Sequence, residues 1–226
     1  MGRPLAVRAG QRASGVAPRG FTLIELLVAL GILSLMAIMS WRGLDGMTRV
    51  QAQTHAHADE LFALQAGLSQ WGSDLDGIVQ ANLGTPAIEW DGAVMRMTRR
   101  NTSDPAAGIW VVAWARKETP SGPQWMRWQS PALQTRGAVS QAWDQAQAWA
   151  RGNEPAQDQR QVPVVALAQW QIYYYLGSAW SNPLSANNAA VVPEGVRLVL
   201  TLPTGGALSG VITRDWVRPD VGGGKT

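Results

Sequence analysis

The segment Arg19-Gly20-Phe21-Thr22-Leu23-Ile24-Glu25 sets a glycine, an aromatic residue, a threonine and a lone acid at the head of an apolar run that lasts to Ser40. Between residues 21 and 40 there are eleven Phe, Leu, Ile or Val side chains and one charge, Glu25. As a helix this run covers about 30 Å, the thickness of a bilayer's hydrocarbon core. Its apolar side chains contribute roughly −3 to −7 kcal/mol on an insertion scale, more than one carboxylate near a helix end takes back. The run is apolar all round rather than along one stripe, which favours a membrane span over a buried core helix. An acid this early in a span is costly, and ionisable groups within lipid are functional candidates.

The rest of the composition narrows the field. Among 226 residues there is no cysteine and there are two histidines. Disulfides, thiolate-bound metals and a cysteine nucleophile are therefore excluded. The formal charge of +3 rests on Arg3, Arg8, Arg12 and Arg19; taking those four from 19 basic residues leaves 15 against 16 acidic ones. The chain past residue 20 has no electrostatic case for nucleic acid. The same arginines outweigh Arg42 and Arg49, which are interleaved with Asp45, so the N-terminus is expected in the cytoplasm and everything after residue 40 outside the inner membrane. A secretory signal would place small residues after the apolar run. Here Met39, Ser40, Trp41 and Arg42 stand there instead.

Beyond the span the helical signal becomes amphipathic. Leu44, Met47, Val50, Thr54, Ala58, Leu61, Leu64 (or Gln65), Leu68, Trp71, Leu75 and Ile78 recur at steps of three and four among polar residues, which predicts one helix from Phe21 to about Asp76. After residue 78 short alternating runs are broken by Gly, Pro, Asn and Asp. Strands are predicted at 88–90 and 93–98 around a turn at Asp91-Gly92, then at 109–116, 124–129, 167–176, 195–202 and 207–214, with a short helix at 139–150 and a solvated loop at 151–161. The expected fold is α+β: a long N-terminal helix, half transmembrane and half amphipathic, packed on a mostly antiparallel β-sheet domain. The expected organisation is a leader at 1–20, a membrane segment at 21–40, an amphipathic helix at 41–78 and a β-rich domain at 79–226 with a flexible tail.

At residues 19–25 the sequence resembles the type IV prepilin family. That resemblance implies that a membrane peptidase cuts after Gly20 and N-methylates Phe21. It also implies that Glu25, then the fifth residue, pairs with the terminal amine of a neighbouring subunit. Pairing removes much of the penalty of burying either charge in lipid. Arg42-Gly43-Leu44-Asp45, the close of the helix at Ala66 to Asp76, the stretch Leu167 to Trp180 and Pro193-Glu194-Gly195-Val196-Arg197-Leu198 are similar to the J-type minor pseudopilins of type II secretion, the GspJ family. Residues 134–161 have no counterpart in that resemblance.

The resemblance implies a structural role without a cofactor. A J-type subunit joins I- and K-type minor pseudopilins in a tip complex, which starts a filament of the major pseudopilin. The inner-membrane assembly platform extends that filament to export folded proteins across the outer membrane. The helix face carrying Leu44, Met47, Val50, Leu61, Leu64, Leu68 and Trp71 is the candidate partner surface, since side-by-side helices can bury such a stripe. A minor pilin of a type IV pilus shares every N-terminal argument. A membrane-anchored, Trp-rich glycan-binding module is the alternative of another class.

Signals that imitate enzymes are weak. Gly222-Gly223-Gly224-Lys225-Thr226 resembles the end of a phosphate loop, but Pro219 stands where the first glycine belongs. His55 and His57, like Asp74 and Asp76, are two apart on a helix and so point about 200° apart, unlike an i, i+4 metal pair. No residue carries a catalytic or metal-ligating assignment. Of the twelve tryptophans, Trp110 and Trp114 share a strand face while Trp125 and Trp128 face oppositely. Core or interface packing is the expected role of the tryptophans, and sugar stacking the alternative.

Overall fold

The computed structural model describes residues 20–80, 83–100, 104–152, 160–185 and 192–219. The chain divides into two compact units, Met1–Gln51 and Ala52–Thr226. Helix α1, Leu23–Asp76, contributes to both. Every described residue of the first unit is exposed, and its helix is long and apolar enough to cross a membrane by length and composition. Gly43 and Gly46, each of which costs about 1 kcal/mol relative to alanine in a helix, do not interrupt it.

The second unit combines the last half of α1 with two antiparallel sheets. Strands β1 (Ile88–Trp90), β2 (Val94–Arg100), β3 (Ile109–Thr119), β4 (Gly122–Gln129) and β5 (Gln161–Ala166) lie in sequential order. Strands β6 (Gln169–Leu176), β7 (Ala179–Ser181), β8 (Gly195–Leu202) and β9 (Gly210–Val217) form the second sheet in the order β7-β6-β8-β9. Helix α2, Arg136–Ala150, is capped by Thr135, whose hydroxyl accepts from Ala138 N at 3.2 Å.

Two hydrophobic cores follow from the period-two alternation of the strands. The larger joins α1 to both sheets: Leu64, Trp71 and Leu75 meet Met97 and Trp114 of the first sheet and Leu198 of the second. The smaller lies on the opposite face of the first sheet, where Val111, Ala113 and Trp128 meet Val139, Trp143 and Trp149 of α2. Strand β3 is therefore buried on both faces from Val111 to Ala115. That double burial explains the hydrophobic run Ile109-Trp-Val-Val-Ala-Trp114 in a sheet otherwise expected to alternate.

Several elements differ from the sequence-based expectation. Helix α2 begins at Arg136 rather than 139, because Thr135 supplies its cap. Strand β5 starts within the stretch read as a solvated loop and contains Pro163, which an edge strand tolerates. The short β7, Ala179–Ser181, falls between the strands predicted at 167–176 and 195–202. Strand β9 begins at Gly210 instead of 207. The reason is tertiary: Ala207 O is engaged by His57 Nδ1 at 2.8 Å and Leu208 N donates to Glu60 at 3.2 Å, so those backbone groups serve α1.

Close approach of α1 to β5 depends on one glycine. A Cβ at Gly67 would lie 2.2 Å from Val164 Cγ1 and 3.4 Å from the Trp125 ring. Gly67→Ala is expected to destabilise the protein by about 1–3 kcal/mol through overpacking, measured by urea unfolding of the detergent-solubilised chain. A change below about 0.5 kcal/mol, the usual range of a neutral surface substitution, would show that α1 and β5 can part at no cost.

Candidate functional site

The N-terminal end of α1 is a capping box. Thr22 N and Thr22 Oγ1 donate to Glu25 Oε2 at 3.0 and 2.9 Å, and Glu25 N donates to Thr22 Oγ1 at 3.4 Å. The Thr-x-x-Glu spacing produces this reciprocal pair because residues three apart meet at the first helical turn. It satisfies donors that a helix start leaves open, which matters most where no water can do so. It also sets a carboxylate at the positive end of the helix dipole. Gly20 and Phe21 precede the helix, Phe21 is 88% exposed, and nothing lies within 4 Å of where a Gly20 Cβ would sit. The Gly20–Phe21 peptide is thus outside secondary structure, immediately before the cap.

Further along α1 the candidate stripe splits. Leu44, Met47 and Val50 are exposed, Leu61 is at the margin, and Leu64 and Trp71 are buried in the protein's own core with Leu68 packed against it. Leu64 and Trp71 are therefore spent on the fold and closed to a partner, while Leu68 is half-buried against the same core. Leu44, Met47, Val50 and Leu61 keep exposed side chains. Phe62, 66% exposed, joins them; sequence reading passed over it because it lies off the three-four stripe.

The end of α1 carries a polar centre that sequence reading dismissed. Asp74 is fully buried. Its carboxylate accepts from Gln70 Nε2 at 2.9 Å, Trp114 Nε1 at 2.9 Å and Arg127 Nε at 2.8 Å, and forms an ion pair with Arg99. Asp76 instead accepts from Trp216 Nε1 at 2.8 Å. The angle that keeps the two acids from sharing a metal sends one to β2, β3 and β4 and the other to β9. Among the described residues no cluster of three His, Cys, Asp or Glu could hold a metal.

The tryptophans are mostly structural. Nine of twelve are buried, Trp110 and Trp180 are half-buried, and Trp41 is exposed. Trp114 stacks on Trp125 with ring centroids 4.3 Å apart, while Trp128 faces Trp149 on the other side of the sheet. Trp114, Trp125 and Trp128 are closed to any sugar, so the pairs considered for glycan stacking do not provide that surface. The glycine-rich end at 222–226 lies outside the described residues.

The prokaryotic N-terminal methylation motif matches residues 17–41. Type II secretion system protein J of Escherichia coli is 25% identical over 209 residues, covering 84% of this chain and 92% of that protein. The crystal structure of the GspK-GspI-GspJ complex from enterotoxigenic Escherichia coli aligns with a TM-score of 0.47 at 18% identity, over 70% of this chain and 96% of that chain. The methylation motif thus stands at the head of the apolar helix, and the similarity to Escherichia coli protein J runs along most of both chains.

Proposed function

We propose that this chain is a structural subunit of the tip of a secretion pseudopilus, anchored in the inner membrane by residues 21–40. Its N-terminus is cytoplasmic and the domain after residue 40 is periplasmic. Prepilin peptidase removes residues 1–20 and methylates Phe21, and Glu25 then pairs with the terminal amine of a neighbouring subunit. The domain joins I- and K-type minor pseudopilins to start the filament that exports folded proteins. Its role is assembly rather than catalysis.

The observation that carries this reading is the methylation motif at 17–41, with Glu25 held at the helix start, among the described residues, by Thr22. A carboxylate satisfied only by a local cap can exchange that bond for an incoming amine at low cost, because one charge-assisted hydrogen bond replaces another. The exposed Leu44, Met47 and Val50 offer a helix stripe for side-by-side packing.

Mass spectrometry of the N-terminal peptide from membranes of the native host is expected to find methylated Phe21. Residues 1–20 retained on functional protein would defeat the proposal. Co-purification with I- and K-type pseudopilins separates secretion from a type IV pilus, for which only pilus components would be recovered.

A further inference from the structure

The two sheets present four outer strands, and three are guarded in the ways natural proteins use against unwanted pairing. Strands β1 and β7 have three residues each, and β5 contains Pro163 and faces a register shift at Trp125/Met126. Short edges, proline and bulges all block strand addition. The stretch of β6 beyond β7 borders a cleft of about 590 Å³ with Gly92, Ala93 and Arg116 of the other sheet. Strand β9 has none of these protections. It pairs with β8 over eight residues in unbroken register from Gly195↔Val217 to Leu202↔Gly210. Its other side meets no strand among the described residues.

We propose that this edge of β9 is a strand-addition site for an extended segment of a partner pseudopilin, an inference that rests on the assembly role above. Eight residues span about 26 Å, and alternate backbone amides and carbonyls along that length point away from β8. The side chains specify the occupant. Val211 and Val217, 67% and 62% exposed, lie six apart and so on one face. Asp215 on that face is consumed by Arg197 of β8, which donates to it at 2.7 and 2.6 Å. Its carboxyl is held below the usual aspartate range chiefly by those hydrogen bonds. It therefore repels an incoming strand less than a bare acid would. Arg214, midway and on the opposite face, is exposed and lies across from Leu198.

The matching segment reads apolar-x-x-acid-x-x-apolar in either strand direction, with the apolar residues against Val211 and Val217 and the acid against Arg214. Backbone hydrogen bonds supply the pairing and these three positions supply selectivity.

The test uses the full chain in detergent with the periplasmic domain of the I-type pseudopilin and, separately, of the K-type. Hydrogen exchange of residues 210–217 is expected to slow when one of them binds. Val211→Lys with Val217→Lys should weaken that complex at least about tenfold, as should Arg214→Glu. Val162→Lys on the guarded edge of β5 should leave it unchanged. Unaltered exchange in β8 confirms that the variants fold, and protection of β9 in the unmodified chain stands independently of them. A complex that forms with β9 exchange unchanged overturns this inference and leaves the assembly role intact. Protection that grows with the chain's own concentration, without partner, identifies a second copy as the occupant and overturns it too. Failure of both partners to bind overturns the assembly role and this inference with it.

Discussion

Asp74→Asn is expected to cost about 3–5 kcal/mol of stability, the range for breaking a buried ion pair by removing one partner. The carboxylate sits in a ring of donors, with Arg99, Arg127 and the Trp114 indole all presenting N–H groups to it. Asparagine keeps the shape but turns an NH2 toward those donors and leaves two largely buried guanidinium groups without their counter-charge. Both arginines are well inside the protein, with side chains 9% and 14% exposed, so water cannot replace the lost partner. At about 2–4 °C per kcal/mol for a domain of this size, the melting midpoint falls by roughly 6–20 °C. Thermal unfolding of the detergent-solubilised protein followed by tryptophan fluorescence is a direct readout, because Trp114 is itself a donor to Asp74. A loss below about 1 kcal/mol, the worth of an exposed pair, would mean that the centre is dispensable and that apolar packing alone joins α1 to the first sheet.

Glu25→Ala should separate insertion from assembly. Removing the only charge in residues 21–40 favours the membrane-inserted state, so the variant is expected in the inner membrane. It is also expected to be processed at Gly20. Under the proposed pairing it lacks the partner for a neighbour's terminal amine, and an unpaired charge in lipid is strongly disfavoured. Incorporation into sheared filaments and exoprotein release are therefore expected to fall below about one tenth of the unmodified protein's, a single order of magnitude in an equilibrium constant. The capping box supplies the control. Thr22→Ala removes the hydroxyl that bonds Glu25 but keeps the acid, and should cost about 0.5–2 kcal/mol of helix-start stability as cap losses do. If both variants lose assembly equally, capping rather than pairing is what Glu25 provides. Normal release in Glu25→Ala would remove the pairing role.

The fold class was readable in advance because its signals are local. The apolar run, the three-four stripe after it and the alternating strands each declare themselves within a dozen residues. The capping box at Thr22 and Glu25 obeys the same local rule, although in the sequence Glu25 reads only as a costly acid and a pairing candidate. Two of the misreadings share a tertiary cause, whereas the early start of α2 follows from its local Thr135 cap. Strand β5 carries a proline because it is an edge, and β9 starts late because His57 and Glu60 engage the backbone just before it. Neither fact is written in the strands' own residues.

Burial along α1 shows the same limit. Val50 and Leu68, eighteen residues or five turns apart, share one helix face, yet Val50 is 63% exposed while Leu68 is half-buried against the core. Periodicity identifies the face that a helix can bury and says nothing about where the neighbouring sheets begin.

The amino-acid sequence by itself determined the membrane-length helix, the N-terminal methylation motif at its head and the α+β class, since hydrophobicity and helical spacing act between near neighbours. Tertiary structure alone decided which part of the stripe stays open, which tryptophans are sealed, and that Asp74 and Asp76 serve different sheets. Those outcomes depend on partners 53 and 140 residues away along the chain. A charge or an indole is satisfied only by the group that folding brings to it.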